Sequence, residues 1–260
     1  MKQLKLQRVF LESTNIDTPI RKKWGQNFLI DKNVIRKIIK IINPSKNNLI
    51  LEIGPGNGAM TIPISKRVKE IHAVEIDPML FNKLTGLKIK NLFLFNDDIL
   101  KWKNVNPHYD TIFGNVPYNI SSQIIFKFLN KNSWDTMILM LQKELASRIV
   151  SKHNKREFGR ISVMVQAFCN VSIETNISKN VFYPRPKVDS SIIKFKKKNQ
   201  KIDYDKFSFF VKECFKQKRK KIKNNLKNIC QQDILENLAE KRAEHISVKN
   251  YIKLYKKIYI

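Results

Sequence analysis

Apolar residues fall on helical spacing over VIRKIIKII at 34–42, with Asp31 placed to cap the start and Asn43-Pro44 to stop the helix. Beyond it, apolar runs of strand length recur: LILEI at 49–53, EIHAVEI at 70–76, LFLF at 92–95, DTIFG at 110–114 and MILML at 137–141. Helical spacing fills the gaps between several of them, as in SSQIIFKFL at 121–129 and KELASRIV at 143–150. Short, almost wholly apolar strands alternating with helices predict a mainly parallel sheet buried on both faces. KVDSSIIKFKKK at 187–198 reads as the last strand. From Tyr204 onward there is no Gly or Pro, while Phe207, Phe210, Val211, Phe215, Ile222 and Leu226 recur at helical intervals. The expected fold is therefore α/β, with a Rossmann-like domain over 21–198 and a small all-helical domain over 199–260, preceded by a polar leader over 1–20 that is free to be flexible.

Charge adds a partner to this picture. The chain of 260 residues carries a formal net charge of +28, and such a surface attracts polyanions by counterion release and long-range steering. Nucleic acid is the expected partner, although 40 of the 50 basic residues are Lys and codon bias in an AT-rich genome is a second source of that excess. Cys169, Cys214 and Cys230 lack metal-ligand spacing, both among themselves and with His72, His108, His153 and His245, so neither a structural metal nor a disulfide framework is expected. No apolar run approaches the roughly 18–20 residues that span a bilayer, and the leader lacks a continuous signal core. A cytoplasmic chain without a membrane partner follows, and it is expected to be a monomer.

Three strand ends carry candidate chemistry. LEIGPGNGA at 51–59 ends a strand and opens a helix over MTIPISKRV, and its glycines, Gly54 and Gly56 foremost, let a ligand approach main-chain atoms. Gly54, Gly56 and Ala59 also satisfy the looser GxGxxA dinucleotide pattern, so the loop alone leaves the cofactor open. Glu75 lies 21 residues past Gly54, the spacing that brings a carboxylate to the neighbouring strand tip, where it can accept hydrogen bonds from ribose hydroxyls. Asp97-Asp98 at a third tip offers an acceptor to an adenine amine.

The fourth strand runs into Gly114-Asn115-Val116-Pro117-Tyr118, which separates the cofactors. Hydride transfer has no use for an Asn-x-Pro-Tyr turn there; methyl transfer to an exocyclic amine does, which makes S-adenosyl-L-methionine the expected cofactor. Such an amine is a poor nucleophile because its lone pair is delocalised into the ring. The Asn115 side-chain oxygen and the Val116 carbonyl can hold its two N–H groups and favour a pyramidal nitrogen. Pro117 stiffens the turn and Tyr118 offers a stacking face to an unstacked base.

Taken with Lys23-Trp24-Gly25-Gln26-Asn27-Phe28-Leu29, Met140-Leu141-Gln142-Lys143-Glu144, Arg148, Phe158-Gly159-Arg160-Ile161-Ser162-Val163 and Phe182-Tyr183-Pro184-Arg185-Pro186-Lys187-Val188-Asp189-Ser190, these segments resemble the ribosomal RNA adenine N6,N6-dimethyltransferase family, bacterial KsgA type, from about Arg21 onward. The resemblance implies a Rossmann-like S-adenosylmethionine-dependent methyltransferase domain. It also implies that Asn27 and Leu29 contact the cofactor alongside Gly54, Glu75, Asp98 and Asn115, and that Phe182 faces the target adenine opposite Tyr118. The implied substrate is 16S rRNA within an immature small ribosomal subunit, dimethylated at two adjacent adenosines near its 3′ end. QKRKKIKNNL at 217–226 resembles the family's helical-domain signature; as a basic helix face, its Lys218, Arg219, Lys220 and Lys221 are expected to grip RNA phosphates. Val116 stands where the type often has Leu, as do Asn57 and Met60, and Arg185 interrupts a proline run. Three other readings compete: a sister resistance enzyme acting on one adenine of large-subunit rRNA, a non-catalytic assembly factor and a DNA adenine methyltransferase.

Overall fold

The Asp31 carboxylate accepts the backbone N–H groups of Asn33 and Val34 at 2.8 and 2.9 Å, which starts helix α1 (Lys32–Ile42), and Asn43 ends it in the left-handed conformation. The computed structural model describes residues 21, 24–103 and 108–260. The leader over 1–20 and Lys23 lie outside the described residues.

The described strands are β1 (Phe28–Leu29), β2 (Leu49–Ile53), β3 (Glu70–Glu75), β4 (Leu92–Asn96), β5 (Tyr109–Asn115), β6 (Trp134–Gln142), β7 (Cys169–Ile177), β8 (Phe182–Tyr183) and β9 (Ser190–Lys197). Seven of them form one sheet in the order β4-β3-β2-β5-β6-β9-β7, with parallel pairing from β4 through β6. Hydrogen bonds from Lys143 N–H to Asp189 O and from Lys198 N–H to Phe168 O place the end of β6 beside the start of β9, and the end of β9 beside the start of β7. These last two strands are antiparallel additions. The chain runs outward from β2 through β4 and then returns to β5 on the other side of β2. That reversal opens a crevice at the carboxyl ends of β2 and β5, where open α/β sheets bind ligands.

Ile50, Ile71, Phe113 and Ile138 of the sheet pack in one core with Ile35, Ile38, Ile39 and Ile42 of α1. Each such side chain contributes about 1.5–3 kcal/mol on burial. The connecting helices include α2 (Thr61–Ser65), α3 (Pro78–Thr85) and α4 (Ser121–Leu129). Helix α2 stops at Ser65, short of the expected MTIPISKRV. The sequence pattern does not predict β7, an edge strand whose sequence CNVSIETNI is half polar.

The chain divides into one compact unit reaching Lys143 and resuming over Ile173–Phe195, and a second made of Glu144–Ser172 and Lys196–Ile260. The second unit holds α5 (Lys143–Val150) from its second residue, α6 (Arg160–Phe168), α7 (Tyr204–Cys214), α8 (Ile222–Leu226), α9 (Gln232–Leu235) and α10 (Val248–Tyr259). Its division differs from the expected spans of 21–198 and 199–260 because Phe168 of α6 meets Tyr204 and Phe207 of α7, with ring centroids 5.6 and 5.8 Å apart. Phe207 and Phe210 in turn pack against Tyr255 of α10 at 5.3 and 6.1 Å. Aromatic anchors thus hold α6 to the tail.

The basic segment at 217–226 is not the expected helix: only Ile222–Leu226 is helical, and Lys218, Arg219 and Lys220 lie in an exposed turn with Lys221 in an isolated bridge to Arg242. No apolar residue between Gln217 and Lys221 can anchor a helical face, and like charges at i,i+3 repel. Among the described residues no helix is long and apolar enough to cross a membrane.

Candidate active site

The turn after β2 has Gly54 at φ 67° and Gly56 at φ 58°, backbone that other residues adopt only with strain. Gly54 N–H donates to Val74 O at 3.0 Å, and Gly56 N–H donates to Glu75 Oε2 at 3.0 Å. A Cβ built on Gly54 would meet nothing within 4 Å, so the turn faces open space. Gly114 answers a different need: a Cβ there would lie 2.6 Å from Ile53 O, so only glycine lets β5 approach β2 this closely.

Glu75 ends β3 with its second oxygen, Oε1, accepting the Asp77 N–H at 2.9 Å. Burial pushes its carboxyl above the ordinary carboxylate range, while the N–H groups of Asp77 and Gly56 pull the other way. Beneath it, Glu52 is buried, with Oε2 lacking any hydrogen-bond partner, and its pKa is pushed up to about 8 by desolvation first, with Glu75 adding to the rise and Thr61 opposing it. Both carboxyls line the cavity at the switch point. Asn27, Leu29, Gly54, Gly56, Asp98 and Asn115 line the same cavity, so every residue expected to hold the cofactor is gathered there.

Asn115 ends β5, and its Nδ2 donates to the backbone carbonyl of Asn27 at 2.7 Å. Asn27 Nδ2 in turn donates to Gly25 O at 3.0 Å. Val116, Pro117 and Tyr118 follow along the same wall. Pro117 O accepts from Ser121 Oγ at 3.0 Å and from the Ile120 N–H at 3.2 Å, which ties the turn to the start of α4. The Tyr118 hydroxyl lies 2.6 Å from Ser190 Oγ, and desolvation raises its pKa.

Phe182 is the exception among the expected catalytic and cofactor-binding residues. It belongs to the core cluster, is 3% exposed and does not line the cavity. β8 pairs with β1 through Leu29 opposite Phe182, and strand alternation turns Phe182 inward while its neighbour Tyr183 points outward, 51% exposed. That Phe182 faces a target base is what the family resemblance implies; in this structure its ring packs in the core.

Several site residues escape sequence reading. Glu52 carries the plainest signal, an acid inside an apolar strand. Gln26 Nε2 donates to buried Asp77 Oδ2 at 2.8 Å, fixing the segment that bears Asn27. Lys127 of α4 donates to the carbonyls of Ile99, Leu100 and Trp102 at 2.6, 3.1 and 2.6 Å, pinning the turn that follows Asp97 and Asp98. In the second unit, Lys218 Nζ reaches Arg156 O at 3.3 Å and Lys221 pairs with Glu240, while Arg219 and Lys220 are exposed.

A glycine turn, a carboxylate at the next strand tip and an Asn-x-Pro-Tyr turn sharing one cavity define a Rossmann-like methyltransferase domain. The pattern of the ribosomal RNA adenine dimethylase family matches residues 18–259, and the chain belongs to that family. It is 41% identical over 225 residues to ribosomal RNA small subunit methyltransferase A of Mycoplasma mobile, covering 85% of this chain and 88% of the relative. The protein of that name from Wigglesworthia glossinidia brevipalpis is 42% identical over 252 residues, covering 90% and 95%. Among solved structures, a dimethyladenosine transferase from Plasmodium falciparum superposes with a TM-score of 0.79 at 26% identity, over 87% of this chain and 97% of that one. The 23S rRNA methyltransferase ErmE shares the fold, with a TM-score of 0.69 at 22% identity over 89% and 99%.

Proposed function

We propose that this chain transfers methyl groups from S-adenosyl-L-methionine to N6 of two adjacent adenosines near the 3′ end of 16S rRNA, within an immature small ribosomal subunit. The observation that carries this reading is the bond from Asn115 Nδ2 to Asn27 O, which uses the amide's donor and leaves its oxygen as an acceptor at the cavity wall.

The residues present fit the cofactor. Open space over Gly54 is a cradle that a Cβ would fill, and Glu52 Oε2 is a buried polar atom awaiting a partner. Glu75 would take the ribose hydroxyls with the lone pairs its backbone donors leave over, Asp98 the adenine amine, and Asn27 and Leu29 the side facing the N-terminal segment. When bound, the cofactor supplies an electrophilic methyl on a sulfonium.

The chain's own part is to present the nucleophile. Asn115 Oδ1 and the Val116 carbonyl accept the two N–H bonds of the target amine and draw its lone pair out of conjugation. Once one methyl is attached a single N–H remains, so one acceptor suffices to orient the second transfer. Tyr118 supplies the stacking face, and Pro117 with its bonds to Ser121 and Ile120 keeps the acceptors rigid. Lys218, Arg219, Lys220 and Lys221 would contact RNA phosphates.

Incubating the purified chain with labelled S-adenosylmethionine and unmodified small subunits tests the reading. Two dimethylated adjacent adenosines near the 3′ end of 16S rRNA are expected. Label confined to large-subunit rRNA or to duplex DNA, or binding without transfer, would sink it.

A further inference from the structure

Two of the chain's four histidines meet in a region that the proposed chemistry does not use. His153 and Asn154 come from the turn between α5 and α6, and Lys241, Arg242 and His245 from the segment leading into α10. Together they line a cavity of about 590 Å³ within the second unit.

Its walls are held by backbone bonds rather than by side chains alone. Asn154 sits in left-handed backbone at φ 69°, and its N–H donates to Glu244 O at 2.9 Å. Asn154 Oδ1 bonds His245 Nδ1 at 3.0 Å, which leaves the other ring nitrogen of His245 for a ligand. Ile222 N–H donates to Lys241 O at 2.8 Å, and Arg242 bridges Lys221, so the main chain under both cations is fixed. Buried Tyr251 donates its hydroxyl to Ala243 O at 2.7 Å and secures the same segment from below.

Positive charge outweighs negative in this lining. Glu240 is the one carboxylate among its lining residues, and Lys221 and Lys223 both pair with it. Among the described residues, Lys241 and Arg242 make no ion pair. Two permanent cations, an imidazole and an amide lining one open concavity supply the chemistry that recognises a phosphate group; the Arg fork suits two of its oxygens and Lys adds a point charge.

We infer that this cavity seats a phosphate of the RNA backbone, as a binding site additional to the basic turn at 218–221. The inference rests on the reading of the chain as an RNA-acting enzyme. It gives the second unit a fixed point of attachment, continuous through the Lys221–Arg242 bridge with the turn, where sequence alone offers a diffuse basic surface.

The full chain carrying Lys241→Gln and Arg242→Gln tests it, beside a control carrying Lys253→Gln and Lys256→Gln at exposed positions of α10. Both remove two charges, and unchanged melting temperatures establish that both fold. Binding to small-subunit RNA across salt concentrations should lose about 0.7–0.9 in logarithmic slope for each phosphate no longer neutralised in the first variant, and clearly less in the control. In a second arm, inorganic phosphate is titrated at constant ionic strength while the ring resonances of His153 and His245 are followed. A saturable shift in the wild type that the first variant loses is expected. Equal flattening in both variants would mean general attraction and overturn the inference. A saturable phosphate shift with an unaltered RNA slope would assign the cavity to free phosphate and overturn it too. Failure of the wild type to methylate small subunits counts against the enzyme reading alone, since the phosphate arm reads the cavity independently.

Discussion

Asn115 Nδ2 and the carbonyl of Asn27 are 2.7 Å apart, a bond that joins the Asn115–Tyr118 turn to the N-terminal segment across 88 residues of sequence. Because an amide has one donor end and one acceptor end, fixing the donor fixes where the acceptor faces. Asn115→Ala removes both. Transfer is expected to fall by at least ~10²–10³-fold in kcat, the scale of losing one preorganised polar group at a reacting centre, with little change in RNA affinity. Single-turnover assays beside filter binding read the two effects; retained turnover would contradict the mechanism.

That bond shows where sequence reading reaches its limit. The strand tips are legible because apolar runs, glycines and lone acids mark them locally, and Asn115, Glu75 and Asp98 can be placed on them from spacing alone. Asn27 acts through its backbone carbonyl, for which no side-chain pattern exists, and Lys127 acts on three carbonyls 25–28 residues upstream. Phe182 is a different case: its place opposite Tyr118 is what the family resemblance implies, while its apolar side chain alone marks a core position, and in this structure the ring lies in the core. The tail's aromatic spacing announces helices, but the turn at 217–221 has charge without an apolar stripe, and charge alone does not set a helix.

Phe182 and Tyr118 should therefore separate under substitution. Phe182→Ala deletes a core side chain and is expected to cost about 3–5 kcal/mol of stability, read as a fall in melting temperature. Tyr118→Ala opens a half-buried position at the cavity wall and should lower turnover with a much smaller loss of stability. If Phe182→Ala melted like the wild type yet lost activity, the ring would have to leave the core to act on the base.

Glu52 makes stability depend on pH. Its folded pKa of about 8 exceeds the ordinary 4.5, so between those values the unfolded chain releases a proton that the native carboxyl keeps. Stability due to this group is then fully present below pH 4.5 and is lost as pH rises towards 8, at up to about 1.4 kcal/mol per pH unit. Glu52→Gln keeps a neutral polar group of the same shape and should flatten the profile, gaining most over the wild type near pH 8. Melting curves from pH 5 to pH 9 check this, and parallel profiles for both proteins would count against a neutral Glu52 at this site.

Lys127 is expected to act as a positioning residue for the cofactor. Burial lowers its pKa, and Lys131 does so further, while Asp98 and Asp97 oppose them. Lys127→Met would leave three carbonyls of the turn after Asp98 without their donor. Orphaned polar groups cost about 1–3 kcal/mol each when they stay buried, and the turn would shift to find water. S-adenosylmethionine affinity should drop about tenfold by calorimetry while kcat at saturating cofactor changes little, and Lys127→Arg should restore part of the loss. A fall in kcat with unaltered affinity would place the effect on the catalytic turn instead.

The four basic residues of the 217–221 turn should not contribute equally to RNA binding. Lys221 pairs with Glu240, and Lys218 also reaches a backbone carbonyl, whereas Arg219 and Lys220 project from an exposed turn. A cation already paired with a carboxylate releases fewer counterions when it meets a phosphate, so it adds less to the salt slope. Neutralising Arg219 and Lys220 together is expected to flatten the slope by about 0.7–0.9 for each phosphate they neutralise, while Lys221→Gln alone moves it by a fraction of that amount. Glu240→Gln frees both Lys221 and Lys223 and should steepen the slope instead. Binding isotherms from low to physiological salt measure all three, and a steeper slope from Lys221→Gln, or a flatter one from Glu240→Gln, would show that the Glu240 pairs do not persist in the RNA-bound protein.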